Sequence, residues 1–230
     1  MIKGIILDLD NTLMDFMKFK RAAVEAAVDA MIDAGLTLPK PQMIEKIMAH
    51  YWKEGIEDQQ VFDKVLLAEF GHIDYKVLAA GIVGYRRAKD GAMGLYPHVH
   101  HTLTELARMG IRMVVLSDAP RLPVWMRIMA LGLGHYFDYP DVITLDDTGE
   151  KKPSPKPFRL ALQRLGVKPS EALMIGDWAE RDVVGAKAVG IRTVFARYGD
   201  EFNTGPDSGA DHEVSDVAQL LDIVRTQNSR

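Results

Sequence analysis

The chain reads as an α/β protein: a doubly wound, Rossmann-like parallel sheet core with a four-helix block inserted after its first strand. Three observations predict this. The run Ile5-Ile6-Leu7 is apolar without alternation, as in a central parallel strand covered on both faces. From about residue 16 to 90 every apolar pattern has a helical period and no strand is convincing. Beyond Gly91 and Gly94, short apolar runs alternate with helical patterns, which implies parallel strands joined by crossover helices.

The elements follow in order. Residues 4–9 form the first strand. Ala22, Ala23, Ala26, Ala27, Ala30, Met31 and Ala34 recur at three- and four-residue spacing up to Gly35, an amphipathic helix with a glycine stop. Helical patterns continue at about 41–53, 60–70 and 75–88, separated by Pro, Gly and Asp. A helix at about 99–109 ends at Gly110, and Met113-Val114-Val115-Leu116 forms a strand that runs into Ser117-Asp118. A helix over 122–132 precedes a short strand at Val142-Ile143. Next come a helix near 155–165, a strand at Leu173-Met174-Ile175, a helix near 180–189, and a strand at Arg192-Thr193-Val194-Phe195. Gly199 to Ala210 is rich in Gly, Asp, Ser and Pro and reads as a surface loop. The last helix, about 215–226, carries Val217, Leu220, Leu221 and Val224 on one face. The domain reading is a core of 1–15 and 91–230 and a helical block of 16–90.

Composition narrows the function classes. With 230 residues, 47% hydrophobic and 26% charged, the chain can bury a full core. Its net charge is −4 and its pI about 6.0, which argues against a nucleic-acid surface. The absence of cysteine removes disulfides, thiol nucleophiles and thiolate-bound zinc. The N-terminal apolar run is too short and wrongly flanked for a signal peptide, and no stretch approaches the roughly 20 apolar residues of a membrane span. The expectation is a soluble, cytoplasmic protein, with neither nucleic acid nor membrane as a partner.

Ligands of open parallel sheets bind beyond the carboxyl ends of the strands, so the residues there form a functional test. The first strand delivers Asp8-Leu9-Asp10-Asn11-Thr12, and the next reaches Ser117-Asp118. A later loop offers Lys151-Lys152-Pro153-Ser154-Pro155, and a further strand ends in Gly176-Asp177 with Asp182 five residues on. Carboxylates gathered at buried strand ends cost free energy unless a cation neutralises them or catalysis uses them. The plainer readings are an Asx turn at Asp8–Thr12, a helix cap at Ser117, and a solvated charge run at Lys151, Lys152 and Lys156.

The four strings in this order resemble the haloacid dehalogenase-like superfamily, in particular its phosphatases with a helical cap after the first strand. The resemblance covers nearly the whole chain. It extends to Lys152-Pro153-Ser154-Pro155-Lys156-Pro157-Phe158, to Gly110-Ile111, and to Gly185-Ala186-Lys187. The resemblance implies that Asp8 is a nucleophile forming an aspartyl-phosphate and that Asp10 is the proton donor and acceptor. It implies Mg2+ held by Asp8, the Asp10 backbone carbonyl and Asp177. Ser117 and Lys152 would bind phosphate, and Asp182 would orient metal-bound water or Lys152. The implied activity is magnesium-dependent hydrolysis of a small-molecule phosphate monoester by a monomer or homodimer. A phosphomutase or phosphotransferase on the same site, or a non-catalytic phosphometabolite-binding protein, are the alternatives. A dehalogenase would not need Asp10.

Two positions depart from the family pattern. Trp178 follows Asp177 where a smaller or polar residue is common, and either roofs the site or packs under the cap. His98, in Pro97-His98-Val99-His100-His101, stands where the family often has glycine; the histidines read as a helix start rather than a zinc site. Phe16, Lys20, His50, Trp52 and Arg86 are cap residues able to face substrate. The strings Ser117-Asp118-Ala119-Pro120 and Gly166-Val167-Lys168-Pro169 look similar to archaeal-type phosphatases associated with glyceraldehyde 3-phosphate.

Overall fold

The computed structural model of the chain describes residues 1–202 and 204–229, residue 90 by its backbone alone. Two compact units are present, one of Met1–Asp15 with Gly94–Arg230 and one of Phe16–Met93.

The first unit is built on a six-stranded sheet in the order β3-β2-β1-β4-β5-β6, with every pair parallel. The strands are β1 (Gly4–Leu7), β2 (Arg112–Leu116), β3 (Val142–Ile143), β4 (Ala172–Gly176), β5 (Arg192–Ala196) and β6 (His212–Val214). Ile5, Ile6 and Leu7 are wholly buried, which is why this strand lacks polar alternation. Leu7 pairs with Val115 on one side and Ile175 on the other, so β1 sits where the winding reverses direction. That is the switch point at which such sheets open a crevice.

In the first unit, helices flank the sheet: α5 (Val99–Arg108), α6 (Arg121–Ala130), α7 (Leu145–Thr148), α8 (Pro155–Leu165), α9 (Val184–Ala188) and α10 (Gln219–Asn228). The second unit is built of α1 (Phe16–Asp33), α2 (Lys40–Glu54), α3 (Val61–Phe70) and α4 (Tyr75–Ala92). One face of the sheet buries Ile6, Val114, Leu116 and Met174 against Phe158, Ala161 and Leu165 of α8 and Ala186 of α9. Among the described residues no helix is long and apolar enough to cross a membrane.

Several elements differ from the sequence reading. β6 was not expected, because an edge strand of three residues with only Val214 buried carries no apolar run. α7 is likewise unannounced; it is fixed by Asp147, whose Oδ2 accepts from both the N–H and the hydroxyl of Thr144. The helix expected near 180–189 is a π-helical turn, Ala179–Val183, followed by α9. The last helix starts at Gln219 rather than 215, since the Gln219 side chain accepts from the N–H groups of Ser215 and Asp216. The loop reading of 199–210 includes residue 203, which lies outside the described residues.

The helical unit has its own core, which includes Val24, Ala27, Val28, Met31, Ile47, Phe62, Val65 and Leu78. Here α1 and α4 lie close because Gly84 presents only hydrogen: a Cβ there would stand 2.6 Å from the carbonyl oxygen of Ala26. The oxygen belongs to backbone and a Cβ has no torsion by which to turn aside, so relief requires the helices to part. Gly84→Ala is expected to destabilise the protein by about 1–3 kcal/mol, the range for overpacking a tight contact. Gly91→Ala, on the same helix with nothing within 4 Å, is the control and should be neutral or stabilising by at most about 1 kcal/mol. Urea denaturation of the two variants checks both signs.

Candidate active site

The parallel ladder brings the site together. The Asp8 N–H donates to the carbonyl of Ile175 at 3.0 Å, carrying the β1–β4 pairing one residue past the strand. Asp8 and Asp177 therefore leave adjacent strands at nearly the same height. The π-helical turn swings Asp182 back toward them, its Oδ2 accepting the Trp178 N–H at 3.0 Å. Gly176 makes the space: a Cβ there would lie 2.2 Å from Asp182 Oδ2. Carboxylate oxygens of Asp8, Asp177 and Asp182 all fall within 4.8 Å of one another, and all three residues are buried.

Among the described residues, one cation pairs with this cluster from within the fold. Lys152, only 4% exposed, places Nζ 2.5 Å from Asp8 Oδ1 and 2.6 Å from Asp182 Oδ1. Its backbone N–H donates to Asp118 Oδ1 at 2.8 Å, so Asp118 anchors the lysine loop. Lys151 and Lys156 are exposed, which separates them from Lys152. Burial pushes the Asp8 carboxyl up to about 7, Lys152 opposing that rise and Asp182 and Asp10 adding to it. Asp177 is held well above its ordinary value by burial and then by Asp8 and Asp182. Burial favours neutral Lys152, but the charges of Asp182, Asp8 and Asp118 outweigh it and raise the ammonium well above its usual range.

The segment after β1 is shaped for its neighbours. Asn11 takes a left-handed backbone (φ 60°), and the Thr12 hydroxyl donates to Asp177 Oδ1 at 3.2 Å. Tyr198 Oη donates to the Thr12 carbonyl at 2.8 Å. Gly199 lies so close to Asn11 that a Cβ would overlap its carbonyl oxygen. Asp10 is partly exposed, and its Oδ2 accepts from the guanidinium of Arg127 at 2.9 Å. Ser117 is buried just past the end of β2; its Oγ accepts the Ala119 N–H at 3.2 Å within a local turn and does not cap α6, whose N-cap position is Pro120.

The other flagged residues lie as follows. Trp178 stacks on Phe202, ring centroids 3.8 Å apart, with the Arg181 guanidinium 3.6 Å from its ring. His98 has φ 64°, a conformation that explains glycine as the usual residue there, and its Nδ1 is 2.7 Å from Asp216. In the helical unit Lys20 is buried, donating to the Ile56 carbonyl at 2.8 Å and lying 3.9 Å from the Tyr51 ring centroid. His50 pairs with Asp58 at 2.8 Å, Phe16 is buried, and Trp52 and Arg86 are exposed. Arg127 is the residue the sequence reading missed. The available signal was a charged residue on the buried face of α6, in line with Val124 and Ile128.

Lys152→Met leaves the carboxylates without their internal cation. At pH 8 the variant should lose about 3–5 kcal/mol of stability, the cost of breaking a buried ion pair. The loss should shrink at pH 5, because Asp8 titrates near 7 and is then neutral. In metal-free wild type the same raised value means that the folded state holds a proton the unfolded chain has released. Stability therefore falls as pH rises from about 4 to about 7. Urea denaturation in EDTA at the two pH values measures both.

Residues 2–190 match the family model described as haloacid dehalogenase-like hydrolase. The chain is 33% identical over 225 residues to a glyceraldehyde 3-phosphate phosphatase of Methanocaldococcus jannaschii, covering 98% of each protein. It is 33% identical over 238 residues to a phosphoglycolate phosphatase of Pectobacterium atrosepticum, covering 99% of this chain and 94% of that one. Its fold is similar to the crystal structure of a HAD phosphatase from Thermococcus onnurineus, with a TM-score of 0.70 and 25% identity over 97% of this chain and 98% of that one. A 2-haloacid dehalogenase from Pseudomonas syringae shares the fold as well, at TM-score 0.66 and 24% identity over 99% of this chain and all of that one. With the sheet, the carboxylate cluster and these matches together, the chain belongs to the haloacid dehalogenase-like hydrolases.

Proposed function

We propose that the protein hydrolyses a small-molecule phosphate monoester through an aspartyl-phosphate on Asp8, with Mg2+ as cofactor. The chain is a phosphoric monoester hydrolase of its family, and one observation carries the finer reading. Three buried carboxylates stand within 4.8 Å of one another, and the Lys152 ammonium pairs with two of them, Asp8 and Asp182. Such a set is short of positive charge and consists of the oxygen donors a hard divalent cation prefers. Asp8, Asp177 and the Asp10 carbonyl would hold the ion, which supplies charge neutralisation between the phosphate and the attacking carboxylate.

The protein's own groups do the rest. An Asp8 oxygen attacks phosphorus, and the P–O bond to the alcohol breaks as Asp10 gives the leaving oxygen its proton. Asp10 then takes a proton from the water that cleaves the acyl-phosphate. Lys152 steadies the Asp8 carboxylate and meets a phosphate oxygen. Ser117 Oγ already accepts a backbone N–H, which leaves its own proton to donate to phosphate. Asp182 fixes Lys152 from the far side. In this reading residues 1–15 and 91–230 carry the chemistry, and the helical block 16–90 selects the substrate as a cap. The relatives' names make glyceraldehyde 3-phosphate and phosphoglycolate the first metabolites to assay. Asp10 favours this reading over dehalogenation, which requires no proton donor to an alcohol.

Release of inorganic phosphate from 4-nitrophenyl phosphate should require Mg2+, stop with EDTA, and fall to background in Asp8→Asn. Activity that survives Asp8→Asn would show the nucleophile to be another group. Mg2+ binding should also compete with the Asp8 proton. Because Asp8 titrates near 7, the Mg2+-induced rise in Tm should be larger at pH 8 than at pH 5.5. Differential scanning calorimetry at the two pH values gives the comparison.

A further inference from the structure

We infer that Arg181 is a positioning residue for Lys152: by holding Asp118 it closes a ring of contacts that fixes the lysine at both its backbone and its ammonium end. The inference rests on the phosphatase reading above and deepens it.

Lys152 needs outside support. It stands on an irregular loop between α7 and α8, where no ladder fixes its backbone, and a lysine carries its charge on a long flexible stem. The chain supplies a hold at each end. At the base, the Lys152 N–H donates to Asp118 Oδ1 at 2.8 Å. At the tip, Nζ lies 2.5 Å from Asp8 Oδ1 and 2.6 Å from Asp182 Oδ1. The two holds are joined by Arg181, the residue before Asp182 on the π-helical turn, whose Nη1 donates to Asp118 Oδ2 at 3.1 Å. The path from the Lys152 N–H through Asp118, Arg181 and Asp182 therefore returns to the Lys152 ammonium. An ionised Asp118 accepts from both donors, one at each oxygen, so the ring forms without moving a proton.

Arg181 is itself held. Its guanidinium lies 3.6 Å from the centroid of the Trp178 ring, which stacks on Phe202 with centroids 3.8 Å apart. A planar cation lying on an aromatic face has its orientation set, which the point charge of a lysine does not reproduce. The Arg181 side chain is 33% exposed and that of Asp118 16%. Ion pairs in contact with water add little to stability, so stability alone is a poor reason for this one. Its worth lies in where it puts Lys152, whose ammonium must meet both the Asp8 carboxylate and a phosphate oxygen. Misplacing such a group by about 1 Å can cost about 100-fold in rate.

The test measures kcat and KM on 4-nitrophenyl phosphate with Mg2+ present. Arg181→Met should lose about 5- to 50-fold in kcat, with KM changed by less than about threefold. Arg181→Lys, which keeps a charged donor without the flat stack, should recover part of the loss. Because Arg181 acts through Lys152, adding Arg181→Met to Lys152→Met should cost less than about twofold more. An unchanged kcat, a loss confined to KM, or the same fold-loss repeated on Lys152→Met would overturn the inference. Should Arg181→Met fail to fold by circular dichroism, or Lys152→Met turn over too slowly to measure, Asp118→Ala with and without Arg181→Lys decides. The inference then requires a kcat loss in Asp118→Ala to which Arg181→Lys adds less than about twofold, and full addition refutes it. A wild type inert on this ester, or an active Asp8→Asn, would instead bring down the phosphatase reading, and this inference with it.

Discussion

Everything in the first unit is arranged around a deficit of positive charge. Asp8, Asp177 and Asp182 are buried together, and Lys152 is the ammonium that touches two of them. Burial without enough counter-charge drives the acids toward their neutral forms, as the raised positions of Asp8 and Asp177 show. A fold selected for stability alone has no use for this arrangement, because apolar residues of similar volume would serve as well or better. The cluster is tolerated because three separate elements hold it. A parallel ladder fixes Asp8 beside Asp177, a π-helical turn returns Asp182, and a loop anchored on Asp118 carries Lys152.

Small residues recur where these elements close on one another. Gly176 clears the path of the Asp182 carboxylate, and Gly199 lets its backbone reach Asn11. Thr12 then ties the post-strand segment to Asp177, while Tyr198 ties it to the segment after β5. The site is thus stiffened by contacts among backbone segments that are far apart in sequence. Such support keeps charged groups from relaxing away from one another.

Much of this was legible in the sequence for a physical reason: strands buried on both faces are written as unbroken apolar runs, and polar residues at their ends stand out. Asp8, Ser117 and Asp177 were visible on those grounds, and Lys152 was set apart from its neighbours by the family resemblance of the string Lys152 to Phe158. What could not be read were features with no local pattern. The edge strand β6 has one buried side chain to betray it. The π-helical turn has the composition of an ordinary helix start. Arg127 is a charged residue within an amphipathic helix, and its ion pair with Asp10 spans more than a hundred positions.

The way the helical unit joins the sheet has a consequence for its history. Just before the chain leaves the first unit, and just after it returns, Asp15 N–H donates to the Gly94 carbonyl at 3.1 Å and Tyr96 N–H to the Leu13 carbonyl at 3.0 Å. The exit and the return are therefore zipped together like the neck of a pouch. The two hydrogen bonds close the ends of the inserted segment as the ends of a loop are closed. A unit attached in this manner can be lengthened, trimmed or exchanged without disturbing a single strand register. Under the proposed reading, in which 16–90 selects the substrate, one reaction can be refitted for new molecules by exchanging the segment between these two ties.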